Sequence, residues 1–153
     1  MNWYLFWKLT HILGALGFLA AHGATAAVAV RLRKEREPER IRPLLDLSRA
    51  TRSWMYVSLL VLVAAGVANG FVAHHWGEGW IWISIGLLTA LLVVAFPLAV
   101  PYYRRIRLAV APGSKVRREE LAKLLSSSRP LVIAWVETAG ILVIVWLMVY
   151  RPF

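Results

Sequence analysis

The chain has 153 residues, 59% of them hydrophobic and 17% charged, with a formal charge of +10 and no cysteine. Its mean hydropathy of +0.61, with an apolar share above the roughly 45–50% of soluble domains, excludes an ordinary water-soluble globule, and at this length one domain is expected. Without cysteine there are no disulfides, thiolate zinc sites or iron-sulfur clusters.

Four apolar stretches follow along the chain, residues 4–30, 54–73, 80–100 and 131–150. Each is near or above the roughly 20 residues that cross a hydrocarbon layer of about 30 Å as a helix. An all-α, multi-pass bundle of four transmembrane helices, forming a single integral membrane domain, is therefore the expected fold. The first stretch would be about 40 Å long, so it tilts or projects, with Lys8 near its start able to snorkel to the interface. It reads as a permanent span rather than a cleaved leader, because MNWYLFWKLT has no basic n-region and the charge cluster follows the apolar run. The segment 31–53 carries eight of the eighteen Lys and Arg residues, the segment 101–130 carries eight more, and only Lys8 and Arg151 lie elsewhere. Short loops this basic stay in the cytoplasm, so both termini and the turn at 74–79 are expected outside. The charge is thus a topology signal and not a nucleic-acid footprint. Trp3, Trp7, Trp76, Trp80, Trp82, Trp146 and Tyr150 mark the outer boundary, and Trp54, Tyr56, Tyr102, Tyr103 and Trp135 lie nearer the inner one, as aromatic belts do.

The two basic loops contain short amphipathic patterns, Ile41, Leu44, Leu45 and Leu47 in the first and Val116, Leu121, Leu124 and Leu125 in the second. Such segments are expected to lie on the inner leaflet, whose anionic headgroups attract Lys and Arg by about 1 kcal/mol per charge. Ser114 is expected to cap the second of them, Ser128 with Arg129 and Pro130 to start the fourth span, and Pro97 and Pro101 to kink the third. Helices in lipid associate through small residues and polar contacts. The first span is rich in Gly and Ala, and Gly66 and Gly70 stand at GxxxG spacing in the second, which fits packing within one bundle or a homodimer.

Ionisable groups at membrane depth cost about 2.5–3.5 kcal/mol on insertion scales, so each raises a functional question. His22 lies about 7.5 Å inward of the first span's midpoint, and Glu137, the one acid in any span, lies about 5 Å inward of the fourth's. If these helices are neighbours the two side chains meet, with Thr25 and Thr138 beside them, Ser58 nearby in depth and Thr89 near the midplane. They are candidates for a proton or ligand site, because histidine titrates near neutral pH and a carboxyl group also exchanges a proton; the alternative is a contact that fixes helix register. An outer polar layer comprises His11, Asn69 and Ser84, with a hydrogen bond expected between His11 and Asn69. Eleven residues separate His11 from His22, which returns a helix to within about 20° of the same face, so that face is expected to point into the bundle.

Neutral histidine also ligates haem, and a four-helix membrane bundle commonly holds haem b. His22 has no histidine at its depth within the chain, and His74 and His75 lie about 7 Å outside His11 by helical rise. Met1, Met55 and Met148 are the only methionines, so soft ligands for Cu(I) are lacking and no metal site is expected. No P-loop, GxSxG, HExxH or dinucleotide fingerprint occurs, which leans against an enzyme.

The opening YLFWKLTHILGALGFLAAHG resembles that of a group of uncharacterised bacterial four-helix integral-membrane proteins, which looks related to the copper-resistance D type membrane domain and distantly to the HemJ-type protoporphyrinogen oxidase. The resemblance implies the inner membrane of a bacterial cell and, from the HemJ type, a haem-binding role for His11. The lysine that the HemJ type needs in a later span has no counterpart in the third or fourth span. Three functional readings follow: a small binding or transport-type module using His22 and Glu137, a haem b-binding redox protein using His11, or an accessory or scaffold subunit of a larger membrane complex.

Overall fold

Asn2 opens the first helix by accepting a hydrogen bond from the Leu5 N–H at 3.3 Å, which satisfies one of the donors a helix start leaves free. In the computed structural model, which describes residues 2–114 and 116–153, helix α1 spans Trp3–Lys34 and ends on Arg31, Arg33 and Lys34, cations that complement the helix dipole. Met1 and Lys115 lie outside the described residues. Glu37, the residue before a proline, is held extended at φ −93° and ψ 121°, because the proline ring disfavours helical backbone there. Pro38 then begins α2, Pro38–Val72, where its missing N–H is not needed. His74 takes a left-handed φ of 57° and leads through a single 3-10 turn, His75–Gly77, into α3, Gly79–Ala109. Helix α4, Arg118–Ser126, and helix α5, Arg129–Tyr150, complete the order.

Four helical stretches are long and apolar enough to cross a membrane, and no strand occurs among the described residues. The apolar side chains that face outward, such as Leu60 at 70% and Trp135 at 73% exposure, suit acyl chains and not water. Helix α1 packs antiparallel along α2, α3 packs on α5, and contacts between α1 and α5 join the two pairs. Small residues set the α1/α2 register. A Cβ on Gly14 would stand 2.7 Å from the Leu62 nitrogen, and one on Gly17 would stand 2.6 Å from Ser58 Oγ. Eleven residues after Gly14 and eleven before Leu62, Thr25 and Thr51 meet with their hydroxyls 3.2 Å apart, as equal rise along two antiparallel helices requires. Gly66 and Gly70 lie against the rings of His11 and Trp76, so the GxxxG pair serves packing inside the chain.

The first basic loop is not a loop. Residues 38–53 are the opening turns of α2. With 32 and 35 residues, α1 and α2 reach about 48 and 52 Å, well beyond a hydrocarbon layer of about 30 Å. Their excess gathers at the basic end into a second packed region. There Leu32, Ile41, Leu45, Ile106, Leu121 and Leu125 share one buried cluster. Ile41 is 0% and Leu45 2% exposed, so the amphipathic segments turn their apolar sides into protein rather than onto the leaflet. Once α1, α3 and α4 offer a facing surface, full burial of each Ile or Leu is worth about 1.5–3 kcal/mol. Leu47 and Val116 alone of the two patterns stay exposed. Several arginines staple this cap, Arg42 donating to the Val110 carbonyl at 2.9 Å, Arg107 to that of Leu45 at 3.0 Å and Arg33 to that of Ser126 at 3.3 Å. Ser114 does not cap α4: its Oγ accepts from the Val116 N–H, and the capping position belongs to Arg117, without a side-chain bond. Ser128 does stand at the start of α5, with Pro130 in the first turn, but its side chain makes no capping bond.

Candidate functional site

The contact between α1 and α5 brings His22 and Glu137 together. His22 Nδ1 lies 3.7 Å from Glu137 Oε2, and His22 Nε2 lies 3.1 Å from Thr138 Oγ1. Phe18, one turn before His22 on α1, stacks on the imidazole with ring centroids 6.4 Å apart. His22 is 8% exposed, so its orientation is fixed by neighbours on two helices.

The hydrogen bonds around the imidazole are consistent with one tautomer. With the Thr138 hydroxyl donating to the Ala134 carbonyl at 2.7 Å, it accepts from Nε2 of His22. In a neutral His22 the remaining nitrogen, Nδ1, therefore presents a lone pair to the carboxyl oxygen of Glu137. At 3.7 Å the two are too far apart for a direct hydrogen bond. A proton on either group, or a hydrogen-bond donor such as water between them, would join the two.

Beside the pair is a cavity of about 50 Å³ lined by His22, Thr25, Tyr103, Pro130, Ala134 and Glu137 among others. A site needs roughly 10–15 Å³ to hold one water, so this one takes a few. It runs from Pro130 in the first turn of α5 to Glu137, two turns further on. Tyr103 forms part of its wall, and the Arg52 guanidinium covers the Tyr103 ring at 5.2 Å, a cation-π contact that ties α2 to α3. Tyr103 and Arg52 are members of the site that sequence reasoning placed only in the aromatic belt and the charge count. Thr25 lines the cavity, but its hydroxyl bonds the Ala21 carbonyl at 2.9 Å and Thr51 rather than His22 or Glu137. Ser58 packs on Gly17, and Thr89 bonds back to the Ile85 carbonyl.

The outer layer does not form as one site. His11 Nδ1 donates to the Leu62 carbonyl at 2.8 Å, not to Asn69, whose Oδ1 is buried without a partner. Ser84 donates to the Trp80 carbonyl at 2.8 Å within its own helix. The reason is local: the close approach that Gly14 and Gly66 allow puts the His11 ring directly on the α2 backbone. A haem does not fit these residues. The α1/α2 contact at His11 is closed to within backbone packing distance, and about 50 Å³ beside His22 is far below the few hundred Å³ of a cofactor pocket. Among the described residues no three His, Asp or Glu side chains cluster as a metal site would need.

At the outer turn His75 Nδ1 lies 2.6 Å from Glu78 Oε1, and the Trp80 indole N–H donates to the other carboxyl oxygen. The Trp80 bond first, and His75 second, hold the Glu78 carboxyl below its ordinary pKa. Arg151 lies over the Trp80 ring at 5.5 Å, tying the C-terminal end to this turn.

Residues 5–152 match the family described as predicted integral membrane protein DUF2269. The chain belongs to this family. No curated protein and no solved structure matches it. Membership makes it a multi-pass integral membrane protein, in agreement with the four long apolar helices, and leaves the chemistry to be argued from the site.

Proposed function

We propose that the chain is a small binding or transport-type membrane module whose working element is the His22/Glu137 pair, taking up a proton or a small hydrogen-bond donor or cation between Nδ1 and Oε2. One observation carries this reading: with Nε2 against Thr138, Nδ1 of the imidazole faces the Glu137 carboxyl across 3.7 Å beside a cavity of water size. A pair serving only to hold register needs no cavity beside it, and here one of water size adjoins. Thr138 and Phe18 orient the imidazole, Thr25 and Tyr103 line the approach, and His11, Asn69 and Ser84 belong to the outer half as packing groups. We place the two basic segments in the cytoplasm and both termini outside on the positive-inside rule, and the resemblance of the opening segment points to a bacterial inner membrane. The lipid bilayer is the surrounding partner, and no homodimer is needed to complete the pair.

The test is Glu137→Gln, which keeps shape and cannot ionise. In vesicles holding a pH-sensitive dye, wild-type protein is expected to bind or pass protons, and the substitution to abolish that signal while circular dichroism shows an unchanged helix content and melting temperature. If Glu137→Gln shifts only the melting temperature, or if the wild-type signal equals that of empty vesicles, the pair is structural and the proposal fails.

A further inference from the structure

The outward face of α3 carries a feature that the His22/Glu137 site does not use. An open groove of about 360 Å³ is lined by Val100, Pro101, Arg104, Arg105 and Leu108. At 100° per residue Val93, Pro97, Val100, Pro101, Arg104 and Leu108 fall in one stripe about 100° wide, with Arg105 at its margin. The buried residues of this helix, Ala95, Tyr103, Ile106 and Ala109, occupy the opposite side. Arg104 and Arg105 are both exposed, and among the described residues neither makes an ion pair or a side-chain hydrogen bond, although Arg33, Arg42, Arg52 and Arg107 nearby are all engaged.

Two prolines add a second, independent observation. Pro97 and Pro101 both lie inside α3, and neither has an N–H, so the carbonyls of Val93 and Pro97, four residues earlier, have no helical donor. Both fall on the same stripe. Depth supplies the identity of the groove's occupant. Arg104 lies 14 residues from residue 90, the middle of the apolar stretch, or about 21 Å by helical rise, which is the headgroup layer of a bilayer about 40–45 Å thick overall. Val93, 66% exposed, lies within the acyl region.

From this we infer that the groove is a specific site for one anionic phospholipid of the leaflet on the basic side. The phosphate sits between Arg104 and Arg105, and an acyl chain runs along Val100 and Val93. Basic pockets at this level of a membrane protein suit such headgroups, each cation contributing enough that losing two weakens binding about 30-fold, or about 2 kcal/mol at about 1.4 kcal/mol per tenfold.

Native mass spectrometry of detergent-released protein titrated with phosphatidylglycerol tests this. Wild type is expected to retain one phosphatidylglycerol in preference to phosphatidylcholine, and Arg104→Gln/Arg105→Gln to weaken that binding about 30-fold. Arg117→Gln/Arg118→Gln, the same charge change on exposed residues of the α4 start, should leave it unaltered. Equal losses in the two double variants would reduce the effect to diffuse charge and overturn the site, as would equal retention of both lipids. Displacement of the lipid by millimolar inorganic phosphate would assign the groove to a free anion instead and also overturn it. An unchanged melting profile of Arg104→Gln/Arg105→Gln separates lost binding from lost fold, and the outcome is independent of the proton signal at Glu137.

Discussion

Replacing Gly14 with Ala tests the close approach of α1 to the backbone of α2. The added Cβ would stand 2.7 Å from the Leu62 nitrogen and 2.9 Å from its Cα, against about 3.4 Å where ordinary contact begins. The neighbours are backbone atoms and cannot rotate away, so α1 and α2 must separate locally by about 0.7 Å, an overpacking that costs about 1–3 kcal/mol. The His11 bond to the Leu62 carbonyl stretches with it, at about 0.5–1.5 kcal/mol. Alanine's better helix propensity returns about 1 kcal/mol, leaving a net loss of about 1–3 kcal/mol. Gly23→Ala is the control, since nothing lies within 4 Å of its Cβ position. That variant should be neutral or gain up to about 1 kcal/mol. Reversible unfolding in mixed micelles, followed by circular dichroism against denaturing detergent, reads both. A third variant sharpens the assignment: Gly66→Ala meets the His11 ring at 2.9 Å, a side chain, so adding His11→Ala should partly restore it, whereas Leu62→Ala should not restore Gly14→Ala. Equal unfolding midpoints for Gly14→Ala and Gly23→Ala would refute the packing argument.

Two further outcomes follow from the ends of the bundle. Ile41→Ala empties a fully buried position in the basic-side cap and should cost about 2–5 kcal/mol, while Leu47→Ala, 50% exposed in the same pattern, should change stability little; comparable effects on the melting temperature would return these segments to the leaflet surface. At the outer turn, bonds from Trp80 and His75 depress the Glu78 pKa, so the stabilisation they give is complete above the unfolded carboxylate value of about 4.3 and is lost as pH falls through the lower folded value. Tryptophan fluorescence titrated from neutral to acid pH should show this transition below about pH 4, and Glu78→Gln should remove it. A transition that survives the substitution would assign it to another group.

The membrane-spanning helices were legible because lipid leaves a backbone few choices: an apolar run of sufficient length must bond its own N–H and C=O groups, and Pro130 and the basic segments show where such runs start and stop. Depth arithmetic along α1 and α5 also brought out His22 and Glu137, since rise per residue is fixed whatever the helices pack against. What a one-dimensional reading could not supply was the partner of each face. Ile41 and Leu45 have the same pattern whether they meet a leaflet or Leu32 and Ile106, and His11 bonds the nearest acceptor on α2, the Leu62 carbonyl, although Asn69 is the more conspicuous polar residue.

The sequence by itself determined that this is a four-span membrane protein with one strongly basic side, because hydrophobic length and charge distribution act through the solvent and need no knowledge of neighbours. The tertiary structure alone decided that α1 touches α5, that α2 extends as one helix into a packed cap, and that His22 stands between Thr138 and Glu137. Those outcomes depend on helix register and on which hydrogen-bond partner lies within about 3 Å, and only the packed chain sets either.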